Sequence, residues 1–83
     1  MIDIHYFASL REALKCDSER LDWRAPQAAA VLLEQLRARG EPWSSAMGVG
    51  QRVMVAINQE IASPDSVVTD GDEVAFFPPV TGG

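Results

Sequence analysis

The chain predicts an α+β domain in which a mixed sheet of about five strands wraps one main helix. Three stretches carry that expectation. Ile2-Asp3-Ile4-His5-Tyr6-Phe7 alternates apolar and polar residues at the start of the chain. Ala29, Leu32, Leu33 and Leu36 recur at helical spacing in its middle. Val74-Ala75-Phe76-Phe77, near its end, is a short apolar run of β-branched and aromatic residues, the signature of a buried strand.

In order, the first strand puts Ile2, Ile4 and Tyr6 on one face, with Asp3, His5 and Phe7 on the other. Phe7 is an aromatic where a polar residue is expected. No neighbour in the sequence orients His5 as a base, so it reads as a solvated strand residue. Ser9-Leu10-Arg11-Glu12 has capping-box spacing, and Leu10, Ala13 and Leu14 then predict a short amphipathic helix. Glu19, Leu21 and Trp23 alternate with Arg20, Asp22 and Arg24 as a second strand, paired hairpin-like with the first. Pro26 suits the first turn of the main helix and Gly40 supplies its stop. Residues 41–51, with Pro42, Ser44, Ser45, Gly48 and Gly50, read as a surface loop pinned at one end by Trp43. Val53-Met54-Val55-Ala56-Ile57 is a third strand, apolar on both faces; Asn58-Gln59 turns the chain into a short strand, Glu60-Ile61-Ala62. Pro64, Asp65 and Ser66 form a loop before Val67-Val68, and Asp70-Gly71 is a tight-turn dipeptide ahead of the last strand.

No linker or repeat interrupts the order, so residues 1–83 form a single domain. The long connection between the first and last strands permits them to pair in parallel at the centre of the sheet. This is the β-grasp, or ubiquitin-like, arrangement.

At 83 residues and 47% hydrophobic, the chain is small but has ample material for a core. Seven Lys and Arg against twelve Asp and Glu give a net charge of −5, which argues against nucleic acid or an anionic membrane surface as partner. Residues 53–83 hold no Lys or Arg, while Glu60, Asp65, Asp70, Asp72 and Glu73 are acidic. A basic docking surface on a partner is therefore expected. The single cysteine, Cys16, permits neither an internal disulfide nor a zinc or iron–sulfur ligand set, and reads as a packed thiol. Met1 leads directly into strand-like residues, and no apolar stretch reaches membrane-spanning length. The expected location is the cytoplasm.

The last residues carry the functional signal. Pro78 and Pro79 remove two backbone donors and fix φ, which forces the chain out of the sheet in an extended form. From Pro78 to Gly83, six residues reach roughly 20 Å when extended. Gly82 and Gly83 carry no Cβ, so a narrow tunnel in a partner admits them where a side chain would clash. The tail at 78–83 thus reads as an arm that delivers the carboxylate of Gly83 as the reacting group. At its root, period two turns Glu73, Ala75 and Phe77 outward if Val74 and Phe76 face the core. Phe77, Phe7 and Ile61 then form an apolar patch suited to docking.

The run Asp70-Gly71-Asp72-Glu73-Val74-Ala75-Phe76-Phe77-Pro78-Pro79-Val80-Thr81-Gly82-Gly83 resembles the C-terminal signature of the small, sulfur-carrying subunits of molybdopterin synthase. Phe7-Ala8-Ser9-Leu10-Arg11-Glu12 resembles that family's first strand and helix start, and Val55-Ala56-Ile57-Asn58-Gln59-Glu60 its central strand and turn. Thr81 departs slightly, standing where a smaller residue is expected. The resemblance implies that an activating adenylyltransferase uses ATP to adenylate the Gly83 carboxylate, which a sulfur donor converts to a thiocarboxylate. The tail, including Pro78, Pro79, Val80, Thr81 and Gly82, would then enter the large, catalytic subunit, which builds the dithiolene of molybdopterin from cyclic pyranopterin monophosphate. By the same resemblance Phe7, Ile61 and Phe77 contact both partners, two small subunits flank a dimer of large ones, and the carrier binds no cofactor or metal of its own. Two other readings share the fold and the diglycine: a sulfur carrier for thiamine thiazole synthesis, and a ubiquitin-like modifier joined to lysines. The phenylalanine and proline pairs before the tail, and the length of the 41–51 segment, favour the molybdenum pathway.

Overall fold

β1 (Ile2–Tyr6) buries Ile2, Ile4 and Tyr6 and leaves Asp3 exposed, following the alternation of its sequence. The computed structural model describes residues 1–48 and 50–79. After β1 come α1 (Ala8–Leu14), β2 (Ser18–Leu21), β3 (Gln27–Ala28), α2 (Ala29–Arg37), α3 (Trp43–Ala46), β4 (Met54–Ile57), β5 (Glu60–Ala62), β6 (Val67–Val68) and β7 (Glu73–Phe77). β1, β2, β4, β5 and β7 form one mixed sheet in the order β2-β1-β7-β4-β5, and β3 pairs with β6 in a two-stranded sheet.

β1 and β7 are parallel neighbours at the centre, in register from Asp3 opposite Glu73 to Tyr6 opposite Phe76. The other pairings of the large sheet are antiparallel. The β-grasp topology expected from the element order is therefore present. α2 lies on the inner face, where its Ala29, Leu32 and Leu36 join Ile2, Ile4, Tyr6, Val74 and Phe76 in one core. The β4–β5 turn places Asn58 and Gln59 at φ 51° and 70°, the paired positive values that match the twist of a hairpin. Gly71 at φ 94° makes the turn into β7.

Five local expectations are corrected. α1 begins one residue before Ser9, and the Phe7 carbonyl, not a Ser9 side chain, receives the Leu10 and Arg11 N–H groups at 3.2 and 3.4 Å. Ala13 is exposed, so the buried stripe of α1 is Leu10 and Leu14. Trp23 lies past the end of β2, buried, and donates its indole N–H to the Val68 carbonyl at 2.9 Å. Pro26 precedes β3 rather than opening α2; the Ser66 and Pro64 carbonyls receive the first helical N–H groups, from Ala29 and Ala30, at 2.8 and 3.0 Å. Distant loop carbonyls thus replace a local cap, which no short-range pattern reveals.

The fifth correction concerns residues 41–51. They are not a plain surface loop: α3 forms inside them, and Met47 is fully buried. Trp43 does pin the segment, edge-on to Tyr6 with ring centres 5.4 Å apart and beneath the Arg39 guanidinium at 4.5 Å.

Candidate docking face and tail root

The sheet's outer face is assembled by parity. Because β1 and β7 run in parallel and in register, His5 lies opposite Ala75, and Phe7 continues past Tyr6 toward the level of Phe77. The Phe7 N–H donates to the Phe76 carbonyl at 3.1 Å, extending the ladder one step beyond β1. Across β4, Met54 faces Phe77 and Ala56 faces Ala75; across β5, Ile61 faces Ala56. One row therefore runs Ile61, Ala56, Ala75, His5, and the next holds Met54, Phe77 and Phe7.

Phe7 is 48% exposed and Ile61 68% exposed, among the largest exposed apolar side chains; Phe77 is half-buried. The structure thus brings Phe7 and Phe77 to one end of the outer face. Ile61 stands on the same face at its β5 edge, beyond the small side chains of Ala56 and Ala75. Residues 41–48 pack toward the core through Met47 and do not cover this face, since Phe7 and Ile61 remain exposed. Ala75 faces outward as the alternation of β7 requires, whereas Met54 and Ala56 are sorted only by register, because β4 is apolar on both faces.

His5 is held more firmly than the sequence implied. Its ring stacks near Phe7, centres 6.4 Å apart, and its Nε2 lies 3.9 Å from a Glu73 carboxylate oxygen.

β7 ends at Phe77, and Pro78 and Pro79 follow outside the ladder, both half-buried. Val80, Thr81, Gly82 and Gly83 lie outside the described residues. Pro78 forms one wall of a cleft of about 340 Å³ between α1 and α3; Leu10, Ala13, Pro42 and Ala46 supply apolar surface, and Arg52 lines it too. In the sequence Arg52 merely precedes the third strand, and no local pattern marks it.

The base of β7 is clamped by polar contacts. Asp72 accepts from the Thr69 backbone N–H at 2.8 Å and from Asn58 Nδ2 at 3.0 Å, while Asn58 Oδ1 accepts from the Glu73 N–H at 3.0 Å. The Thr69 N–H first, and Asn58 second, hold the Asp72 carboxyl below its usual pKa. Cys16 is half-buried beside Glu19, and burial first, then that carboxylate, pushes its thiol pKa up. Such a thiol is poorly ionised and a weak nucleophile, which agrees with a packed residue. Among the described residues no cluster of His, Cys, Asp or Glu is placed to hold a metal ion, and no helix is long and apolar enough to cross a membrane.

A family model described as ThiS family matches residues 4–83. The chain belongs to the ThiS family. A relative from Haemophilus influenzae, the "Molybdopterin synthase sulfur carrier subunit", is 42% identical over 83 residues, covering 100% of both chains. Among solved structures, a putative molybdopterin converting factor, subunit 1, from Pyrococcus furiosus superposes with a TM-score of 0.77 at 27% identity, covering 95% of this chain and 97% of that one. The small archaeal modifier protein 1 of Haloferax volcanii superposes with a TM-score of 0.75 at 26% identity, over 95% of this chain and 97% of that one. The β-grasp of this ThiS-family chain is thus shared with a protein named as a putative molybdopterin converting factor subunit and with one named as a modifier.

Proposed function

We propose that the chain is the sulfur carrier subunit of a molybdopterin synthase. The observation that carries the reading is the full-length likeness to a curated sulfur carrier subunit. It joins a sheet whose central strand, β7, ends at Phe77-Pro78-Pro79 beside an exposed apolar face. In this reading the Gly83 carboxylate attacks the α-phosphate of ATP on a separate activating enzyme, forming an acyl adenylate and releasing pyrophosphate. A sulfide equivalent from a donor then displaces AMP and leaves a thiocarboxylate. The carboxylate is ionised near neutral pH and is a poor electrophile until adenylated. Tethering keeps the labile sulfur at high effective concentration near its acceptor.

The catalytic groups belong to the partners. The carrier supplies the outer face with Phe7, Ile61 and Phe77, and the arm with Pro78, Pro79, Val80, Thr81, Gly82 and Gly83. The partners are the large synthase subunit, assembled with it as a heterotetramer, and the activating adenylyltransferase. The carrier itself binds no cofactor, and the setting is the cytoplasm. The test is intact mass after incubation with the activating enzyme, ATP and a sulfur donor. A gain equal to exchanging one oxygen for sulfur, mapped to Gly83 and absent without ATP, is expected. No gain with an enzyme active on another carrier overturns the reading.

The likeness to a small archaeal modifier protein favours a second reading, attachment of Gly83 to lysines of other proteins. Isopeptide-linked adducts recovered from cell lysate would establish it, and thiocarboxylate formation alone would not.

A further inference from the structure

The two ends of the sheet carry different charge. Glu73 opens β7 opposite Asp3, and Glu60 faces Ile57, which faces Val74; Asp72 lies beside them. These acids gather where β7 begins. The tail leaves from the other end of β7, about 13 Å away at the usual strand rise. Glu60, Asp70, Asp72 and Glu73, four of the five acids of residues 53–83, thus lie at the end opposite the tail root, and the basic docking surface expected from their charge belongs there rather than beside the arm.

At the tail root the charges are few, and most are engaged. Arg11 pairs with Asp17 at 3.7 Å, and Glu41 accepts the hydroxyls of Ser44 and Ser45 at 2.9 and 2.5 Å. Arg52 is exposed and makes no ion pair with another described residue. It lines the same cleft as Pro78, whose other walls set apolar residues beside Ser9, Ser45 and Gln51. An unopposed guanidinium beside apolar surface suits a carboxylate, which it binds with two parallel, charge-assisted hydrogen bonds. A protein that takes up the arm must also approach Pro78, and so the mouth of this cleft.

We infer that the cleft between α1 and α3 is a second anchor for the partner that receives the arm, and that it takes an aspartate or glutamate side chain of that partner against Arg52. The inference rests on the arm-delivery reading above and extends it. The apolar face made by Phe7 and Phe77 supplies burial, while Arg52 supplies a charged contact beside the arm that fixes its direction of entry. The partner should accordingly present an acidic group at the rim where the arm enters, although basic surface suits the far, acidic end of this chain.

The experiment measures affinity of the full chain for the large subunit of molybdopterin synthase by calorimetry, at low and at high salt. Arg52→Glu is expected to weaken binding about tenfold or more at low salt, with a smaller loss at high salt because the repulsion is screened. Arg52→Lys is expected to retain most of the affinity. Unchanged affinity of Arg52→Glu at low salt overturns the inference, as does a loss that salt does not alter. A chain ending at Pro79 supplies the remaining arm. If Arg52→Glu weakens binding of the whole chain but not of this shortened one, the occupant of the cleft is the chain's own tail, which also overturns it. Phe77→Arg separates the two levels: if it abolishes binding while Arg52→Glu does not, the arm-delivery reading stands and only the anchor falls. If the unsubstituted chain neither binds the large subunit nor gains sulfur, the functional reading itself fails.

Discussion

The Tyr6 hydroxyl donates to Glu19 Oε2 at 2.8 Å, joining the central strand β1 to the edge strand β2 beneath the Arg39 guanidinium. Arg39 closes on the same carboxylate with two hydrogen bonds of 2.9 and 2.7 Å and stacks over Trp43. Tyr6 of β1 and Arg39, just past α2, therefore meet at the carboxylate of Glu19 on β2, with Trp43 of α3 packed against both of them. Tyr6 is 1% exposed, so its hydroxyl depends on Glu19 for a partner.

Replacing Glu19 by Ala leaves that hydroxyl unpaired in the core and strands the Arg39 charge. The expected loss is about 1–3 kcal/mol, the usual cost of an unsatisfied buried group, read from urea unfolding. Tyr6→Phe in the same background should recover part of it, because the orphaned hydroxyl is then gone. Full additivity of the two substitutions would show that the contact contributes nothing.

The same network makes stability depend on pH at both ends. Arg39 first, and Tyr6 after it, hold the Glu19 carboxyl below its usual pKa. Asp72 is lowered as well. A carboxyl depressed by folding stabilises the protein above its unfolded pKa, and that contribution is lost as pH falls below about 4.3. Burial first, then Glu19, pushes the Tyr6 phenol far above its ordinary value. A phenol raised by folding stabilises below its unfolded pKa, so stability falls again as pH rises past about 10. Urea midpoints across the pH range should form a plateau with both shoulders, and Glu19→Gln should flatten the acid one.

Most of the sheet was legible in the sequence because its strands alternate or run apolar, and because a central parallel pair is what the element order demands. Ile2, Ile4 and Tyr6, like Val74 and Phe76, point inward as their parity requires. What stayed hidden was long-range. β3 and β6 are two residues each and exist because Gln27 and Ala28 meet Val68 and Val67. The start of α2 is set by carbonyls of Pro64 and Ser66, more than thirty residues onward in the chain. Met47 is buried although its neighbours are serine, alanine and glycine, so no periodicity marks it. On the outer face of the sheet, Phe7 and Phe77 are legible as outward aromatics. Arg52 is not, since only folding sets it beside Pro78.

Trp23 tests one of those hidden contacts. Its buried indole N–H reaches the Val68 carbonyl across 45 residues of sequence and ties the end of β2 to β6. Trp23→Phe keeps an aromatic ring but removes the donor, so the carbonyl loses its side-chain partner and a small void opens. A loss of about 1–3 kcal/mol is expected by chemical denaturation. An unchanged midpoint would mean that the bond adds nothing beyond ring packing.

Phe77 tests the outer face. It is half-buried, lies opposite Met54 and points away from the core, so Phe77→Arg should fold normally. Placing a charge in the centre of an apolar contact typically costs about 2 kcal/mol or more in binding. A fall in affinity for the large synthase subunit of at least that size is expected, with an unchanged thermal midpoint. Full retention of affinity would remove Phe77 from the interface.

The tail makes the sharpest separation between folding and function. Adding one alanine after Gly83 changes no core residue, and the urea midpoint should equal that of the unaltered chain. The new carboxylate, however, sits one residue farther along and on a Cβ-bearing residue, which a tunnel fitted to glycine excludes. The oxygen-to-sulfur mass gain on incubation with the activating enzyme, ATP and a sulfur donor should therefore disappear. Normal sulfur loading of the extended chain would show that activation does not depend on the position of the Gly83 carboxylate.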